Sequence, residues 1–314
     1  MLLREGETVR TRLTAREVIS GQGSPAWTRR PRRAVPQNGG VTEPGPLGRA
    51  LGGGAHDDDQ SGVAFFRPIA ARLVDLLAPQ PGEHALDVGC GRAAVTVPLA
   101  RAVTPAGGVT AVDLSPATVA LTRQVVAAAG LPHVRVEQVE RLDDLALLGT
   151  HDVVASSLAV MFLPDPLGAV TGWVDRLRPG GRIGLSTFGE ADRVFDAVSE
   201  LFAPFQPPGV VPAVPREVDV FLSDESVEGL VAEAGAVDVT TVRQTLEVRF
   251  LDAERWRAWT MTTGQRIFWG RMSPGQRHRV MTRAAELLEP ARGPDGIITL
   301  RQEVRHTLGR RPTS

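Results

Sequence analysis

The sequence predicts an α/β fold: a doubly wound, mostly parallel, seven-stranded sheet with a helical lid insertion. Between residues 84 and 187, short apolar segments alternate with amphipathic ones, the rhythm of strand–helix–strand units. Beyond residue 188, two longer alternating segments are separated by helical ones. This change indicates antiparallel strands at one end of the sheet, with helices inserted beside them.

The first part of the chain is divided by caps and turns. Ser115 and Asp165 each precede a proline, so both are predicted to cap the helices that follow. Gly130 is predicted to close the first of these helices. The predicted strands cover residues 84–88, 109–113, 134–138, 152–157 and 182–187, and the predicted helices cover 63–78, 92–102, 115–130 and 165–178.

The second part is predicted to hold helices over 192–202, 223–234, 253–261 and 274–288, and strands over 237–250 and 296–308. We predict that residues 56–314 form one domain with lid elements around 190–235 and 252–290. Residues 1–55 are rich in Arg, Gly and Pro and lack periodicity, which predicts a disordered tail. That tail is either dispensable or a basic arm for nucleic acid or phospholipid.

Composition excludes several classes of protein. A net charge of −1 gives no electrostatic reason to expect nucleic acid or a membrane surface as partner. No apolar run approaches the roughly 20 residues that span a bilayer. Cys90 is the only cysteine, so an internal disulfide is impossible and a cytoplasmic location is expected.

The most informative segment lies where the first predicted strand ends. Gly89 and Gly91 allow the backbone to pass close to a ligand. Asp113 ends the next strand, where a carboxylate can accept hydrogen bonds from both ribose hydroxyls. Asp87 would repel a pyrophosphate but suits the cationic amino-acid end of S-adenosylmethionine. These residues predict a site for a nucleoside with a cationic end.

At these residues the chain resembles bacterial class I S-adenosylmethionine-dependent methyltransferases of small molecules. ALDVGCG at 85–91 is similar to the family's first motif, and AVDLSP at 111–116 to its acidic second strand. LRPGGR at 177–182 is similar to the loop before its fifth strand. The resemblance covers roughly residues 60–250 and implies a Rossmann-like fold with S-adenosylmethionine as cofactor.

The resemblance also implies roles for individual residues. Asp113 would bind the ribose hydroxyls, Leu114 would pack on the adenine, and the backbone near Ser156 would line the cofactor. The predicted cofactor-binding residues are Asp87, Gly89, Cys90, Gly91, Asp113, Leu114, Glu140 and Ser156. No catalytic residue is identified, and no cluster of side chains has metal-ligand spacing.

Two positions depart from the family pattern. Ala93 replaces the third glycine of the first motif, which a helical backbone would tolerate. The Asp-Ala pair that normally follows the third strand, and whose acid holds the adenine amino group, is missing. Glu140 either takes over this role or is a solvated loop residue.

The predicted function is transfer of a methyl group from S-adenosylmethionine to an O, C or N atom of a small apolar metabolite. Aromatic residues after position 187, among them Trp256 and Trp259, indicate an apolar acceptor pocket or simply packing of the lid. His278 and His306 are the histidines that could reach such a pocket. The first alternative is a binding or scaffold module without methyl transfer; the second is a nicotinamide-dependent oxidoreductase.

Overall fold

A computed structural model describes residues 63–142, 145–206 and 220–313. Within them, seven strands form one sheet in the order β3-β2-β1-β4-β5-β7-β6. The strands are β1 (His84–Val88), β2 (Gly108–Asp113), β3 (Val134–Gln138), β4 (His151–Ser157), β5 (Leu177–Ala191), β6 (Val237–Phe250) and β7 (Ile298–Arg310). Strands β1 to β5 are parallel, whereas β7 runs antiparallel between β5 and β6. The predicted fold class is confirmed.

Helices cover both faces of the sheet. They are α1 (Phe66–Leu77), α2 (Thr96–Val103), α3 (Pro116–Ala128), α4 (Pro166–Val174), α5 (Arg193–Glu200), α6 (Asp224–Glu233), α7 (Ala253–Thr260), α8 (Arg266–Arg271) and α9 (Pro274–Leu288). None of the helices in the described ranges is both long and apolar enough to cross a bilayer.

The predicted helix caps are present. The Ser115 side chain accepts a hydrogen bond from the backbone N–H of Thr118, and the Asp165 side chain accepts one from that of Gly168. Each cap satisfies a backbone donor that the first turn of a helix leaves unpaired. Gly130 has a φ of 65°, the left-handed conformation that ends α3. Local sequence therefore sets where α3 and α4 begin.

Buried side chains form three clusters around the sheet. One packs α1, α2 and α3 on one face, and a second packs α4 and α6 on the other. The third joins the N-terminal part of α1 to helices α5 and α7–α9 and to the ends of β6 and β7. This third cluster is the most aromatic, and it adjoins the cavity described below.

Several predicted boundaries are wrong for identifiable reasons. Helix α2 begins at Thr96 rather than at residue 92, because residues 91–95 form turns. Helix α4 ends at Val174 rather than at residue 178, because β5 already begins at Leu177, which pairs with His151. Helix α8 is missing from the prediction, since six residues are too few to display helical periodicity. The tail predicted over 1–55 and residues 207–219 of the predicted lid lie outside the described residues.

Candidate active site

A cavity of 520 Å³ lies at the carboxyl ends of β1, β2 and β4. Ligands of open α/β sheets bind at this edge, where the strand order reverses. Residues of the β1 turn and of β2 form one part of its wall, and aromatic residues of α1, β5, α5, α7 and α8 form another. The wall includes Asp87, Gly89, Cys90, Gly91, Asp113, Leu114, Leu142, Ser157, Leu158, Phe65, Phe188, Phe195, Trp259, Gln265, Phe268 and Gln302.

The turn after β1 has the conformation that its glycines permit. Gly89 and Gly91 have φ angles of 76° and 52°, in the left-handed region. A Cβ on Gly89 would lie 2.6 Å from the Cβ of Ala159. The backbone N–H groups of Gly89 and Cys90 both donate to the carbonyl of Val112, which anchors the turn on β2. A side chain at position 89 is thus excluded by the protein itself.

The backbone of Ala93 is not helical, contrary to the expectation from the sequence. A helical backbone would tolerate this alanine, but its φ is 66°, so it adopts the left-handed conformation that glycine would favour. Ala93 is buried, and its N–H donates to the carbonyl of Cys90. Leu158, which lines the cavity, also has a positive φ of 54°. Leu158 in the cavity wall and Ala93 beside it therefore both have a strained backbone conformation.

Asp113 ends β2 with its carboxylate against the glycine turn. Its Oδ2 accepts a hydrogen bond from the N–H of Gly91 at 3.2 Å, and its Oδ1 accepts one from the N–H of Ser115 at 3.0 Å. Burial raises the pKa of this carboxyl, and these hydrogen bonds offset part of the effect. A carboxylate can accept about four hydrogen bonds, so both oxygens retain capacity for a ligand.

Asp87 is the second carboxylate in the cavity wall and is only 1% exposed. The hydroxyl of Thr96 donates to its Oδ2 at 2.6 Å. Burial raises the pKa of Asp87 to about 7, and the nearby Asp113 contributes in the same direction. A cation placed in the cavity would stabilise the ionised form of both acids.

Cys90 and Leu114 also line the cavity, whereas Glu140 and Ser156 are not in its wall. Glu140 is exposed, and Ser156 is buried, with its hydroxyl donating to the carbonyl of Val88. Ser157, the last residue of β4, and Leu158 after it line the cavity. The segment after β3 contributes Leu142, whose carbonyl accepts a hydrogen bond from the indole of Trp173.

The aromatic wall consists of rings that contact one another. The Phe65 ring stacks with Phe188 at 6.3 Å between centroids and meets Trp259 edge-on at 5.3 Å. Trp259 also contacts Phe195 at 6.1 Å. Trp256, the other tryptophan of α7, lies outside the wall and stacks on Phe202 in the core. Only Trp259 of these two tryptophans therefore lines the cavity.

Three polar residues of this wall have no signal in the sequence. Gln265 lies in the turn between α7 and α8, Thr263 precedes it, and Gln302 lies on β7. The alternation along β7 predicts which residues share a face, but not which of them reaches the cavity. The turn that holds Thr263 and Gln265 joins α7 to α8, which has no periodicity in the sequence, so no local pattern indicated where the turn lies.

None of the five histidines within the described residues lines the cavity. His306 is fully buried in the sheet, where its Nδ1 lies 3.0 Å from the hydroxyl of Ser186 and its Nε2 lies 2.9 Å from Oε1 of Gln244. Burial lowers the pKa of His306 to about 4, and the charge of Arg72 adds to the effect. His278 is exposed on α9. Among the residues with coordinates described, no His, Cys, Asp and Glu group could hold a metal ion.

Comparison with known proteins yields several relatives. A family profile described as "Methyltransferase domain" matches residues 86–185. Nocamycin O-methyltransferase of Saccharothrix syringae is 34% identical over 265 residues, covering 80% of this chain and 94% of that protein. Aklanonic acid methyltransferase DauC of Streptomyces sp. (strain C5) is 35% identical over 158 residues, covering 50% of this chain and 68% of that protein.

Solved structures agree on the fold. The YcgJ protein of Bacillus subtilis aligns with a TM-score of 0.55 at 15% identity, over 79% of this chain and 99% of its own. At such identity the likeness concerns the fold alone. Given the match over nearly the whole of the Saccharothrix enzyme and the glycine turn flanked by two carboxylates, this chain belongs to the class I S-adenosylmethionine-dependent methyltransferases of small molecules.

Proposed function

We propose that the cavity binds S-adenosylmethionine through the β1 turn and β2, and transfers its methyl group to an oxygen atom of an apolar metabolite held by the aromatic wall. The observation that carries the proposal is the pair of buried carboxylates, Asp87 and Asp113, on either side of the glycine turn in one cavity wall. When bound, the cofactor supplies an electrophilic methyl carbon on a positively charged sulfur.

The residues present fit this cofactor chemically. Asp113 has carboxylate oxygens with capacity for the ribose hydroxyls, and Leu114 beside it offers an apolar surface for the adenine. Asp87, whose raised pKa reflects an uncompensated buried charge, suits the cationic amino-acid end. Gly89 and Gly91 line the cavity, where their backbone can approach the methionine part. Glu140 is exposed, so we assign the adenine amino group no acid among the described residues.

The reaction requires little more of the protein than position and exclusion of water. The aromatic wall would hold the acceptor against the methyl group and remove water from its nucleophilic oxygen. We propose that α5 and α7–α9 act as the lid over this half of the cavity. Oxygen is the proposed methylated atom because the relative that matches over most of its length is an O-methyltransferase.

We further propose that the enzyme works on free small molecules in the cytoplasm and needs no nucleic-acid partner. Cys90 is the sole cysteine and is buried, and burial raises the pKa of its thiol well above the ordinary value, which keeps it protonated. The net charge of −1 gives no attraction to a polyanion.

Calorimetric titration with S-adenosylmethionine and S-adenosylhomocysteine tests the cofactor half of the proposal. Wild-type protein should bind both, and Asp113→Ala should weaken both by at least about 100-fold, because it removes the acceptor for the ribose hydroxyls. Asp175→Ala is the control, since Asp175 is an exposed aspartate at the end of α4, outside the cavity. Equal affinity in wild type and Asp113→Ala would refute the assignment.

A second candidate, a binding module without methyl transfer, is favoured by the strain at Ala93 and the exposed Glu140. It predicts no affinity, or only weak affinity, for either sulfur compound. The same titration therefore separates the two functions, and NADPH included as a third ligand tests the oxidoreductase alternative.

A further inference from the structure

Two buried polar atoms in the cavity wall have no hydrogen-bond partner among the described residues: Nε1 of Trp259 and Oε1 of Gln265. Both residues line the cavity. Trp259 is 3% exposed and is the penultimate residue of α7, and Gln265 ends the turn between α7 and α8. Two residues of one short lid segment thus line the same cavity, one with an unpaired donor and the other with an unpaired acceptor.

The threonine hydroxyls of this segment and the indole of Trp269 have hydrogen-bond partners, unlike these two atoms. The hydroxyls of Thr260, Thr262 and Thr263 donate to backbone carbonyls at 2.7–3.0 Å. The indole of Trp269 donates to the hydroxyl of Thr260 at 2.9 Å. Buried polar groups are normally paired, so an unpaired donor and acceptor in a cavity wall indicate that a ligand pairs with them.

The surroundings define the rest of that ligand. The Trp259 ring contacts Phe65, Phe195 and Phe250, with centroids 5.3–6.1 Å away. Rigid aromatic walls favour flat apolar molecules, which lose little conformational freedom on binding. The residues proposed for the cofactor belong to β1, β2 and the turn after β1, so the cofactor leaves the polar atoms of the lid segment to another molecule.

We propose that Trp259 and Gln265 select and orient the acceptor, which is a flat apolar molecule carrying both a carbonyl oxygen and a hydroxyl group. The indole N–H of Trp259 donates to the carbonyl oxygen, and Oε1 of Gln265 accepts from the hydroxyl. The inference rests on the proposed function, whose acceptor half it makes specific. Both residues are specificity determinants that touch the acceptor and carry no bond-making step.

A matched set of rigid tricyclic probes separates the two hydrogen bonds. 9-Fluorenone carries the carbonyl alone, 2-hydroxyfluorene carries the hydroxyl alone, and 2-hydroxy-9-fluorenone carries both. Each probe is titrated calorimetrically into the full chain with saturating S-adenosylhomocysteine. The variants are Trp259→Phe, which keeps an aromatic ring but removes the N–H, and Gln265→Met, which keeps length but removes the acceptor.

The proposal predicts a crossed pattern of affinities. Trp259→Phe should weaken 2-hydroxy-9-fluorenone and 9-fluorenone by about fivefold and leave 2-hydroxyfluorene unchanged. Gln265→Met should weaken 2-hydroxy-9-fluorenone and 2-hydroxyfluorene by about fivefold and leave 9-fluorenone unchanged. Trp256→Phe is the matched control, since Trp256 is buried on the same helix outside the cavity wall and should affect no probe.

Two results would overturn the proposal: wild type that binds none of the probes, or variants that weaken all three probes equally. Failure of the cofactor assignment is distinguishable, because S-adenosylhomocysteine is titrated separately into each variant. Unchanged cofactor affinity with no crossed pattern refutes the acceptor proposal alone. If S-adenosylhomocysteine does not bind, the cofactor site is refuted, and the probes are titrated again without that compound. A crossed pattern in this second titration would still support the acceptor site.

Discussion

At the scale of single residues, the proposed role of Asp87 predicts that cofactor affinity depends on pH. Its pKa is about 7 in the unliganded cavity, so the carboxyl is partly protonated at neutral pH. A bound cation favours the ionised form, and binding therefore releases a proton. We expect S-adenosylmethionine affinity to rise from pH 6 to pH 8 in wild type, and Asp87→Asn to weaken binding and flatten this rise. Calorimetry across that range measures both, and equal slopes in the two proteins would contradict the assignment.

The same residue should cost the unliganded protein stability. The pKa of Asp87 is higher in the folded protein than in the unfolded chain, so the ionised carboxyl is disfavoured in the fold. Relative to the protein at high pH, protonated Asp87 therefore stabilises the fold fully below about pH 4, and this stabilisation is lost as the pH rises through about 7. Asp87→Asn should thus raise the free energy of unfolding at pH 8 by roughly 1–3 kcal/mol. Urea denaturation at pH 8 and pH 5 measures the gain, which should shrink at the lower pH; a variant less stable at pH 8 would refute this reasoning.

His306 gives stability the opposite dependence on pH, because it destabilises the fold as the pH falls. Its pKa falls from 6.5 to about 4 on folding because the imidazole is buried between Ser186 and Gln244. The neutral imidazole contributes about 3 kcal/mol to the free energy of unfolding above pH 6.5, and this contribution is lost as the pH falls toward 4. His306→Gln should make stability less dependent on pH in this window. His278→Gln, at an exposed site, is the control and should leave the slope unchanged.

At the scale of elements, Arg305 joins three parts of the fold. This buried arginine of β7 pairs with Asp224 at 2.7 Å and donates to the carbonyls of Phe188, Phe221 and Leu222. Burial alone would raise the pKa of Asp224, but hydrogen bonds from Arg243 and Arg305 hold it below its usual value. The N-terminus of α6 is thereby fixed to β5 and β7.

Replacing Arg305 should lower the free energy of unfolding substantially. Arg305→Met leaves an acid and several carbonyls without their buried donor, and we expect a loss of about 3–5 kcal/mol in the free energy of unfolding. Arg301→Met is the matched control, because Arg301 lies on the same strand and pairs with Glu247 at 3.3 Å in an exposed position. That variant should change stability by less than about 1 kcal/mol. Chemical denaturation measures both variants. If they lose similar amounts of free energy of unfolding, burial of the arginine does not determine how much it stabilises the fold.

Elements with a strong local signal were the ones that the sequence predicted well. The bounds of β1, β3, β6 and α9 are those expected from alternation, periodicity and caps. Helix α8 and the ends of α4 and β5 depend on tertiary pairing, such as that of Leu177 with His151, which no local pattern encodes. The same distinction applies to the site: the glycine turn and Asp113 were recognisable, whereas Gln265 and Gln302 reach the cavity only through the packing of distant elements.

At the scale of the whole molecule, the cavity gathers residues from Phe65 to Gln302. A ligand that contacts this wall therefore stabilises elements from both ends of the domain. At 100 times its dissociation constant, S-adenosylhomocysteine should stabilise the fold by about 2.7 kcal/mol and raise the melting temperature by roughly 5 °C. Differential scanning calorimetry measures the shift. Asp113→Ala, which weakens binding by at least about 100-fold, should reduce the shift to about 1 °C or less at the same ligand concentration, whereas Asp175→Ala should retain it.

The position of β7 between β5 and β6 has a consequence for biosynthesis. Within the described residues, strand β6 pairs only with β7, which spans residues 298–310. While the ribosome is still translating residues 237–297, β6 has no neighbouring strand and exposes its backbone and apolar face. Strands β1 to β5, by contrast, can pair in the order of their synthesis. The part of the cavity wall that includes Gln302 therefore forms only after β7 has been synthesised, and the same strand then covers the exposed edges of β5 and β6.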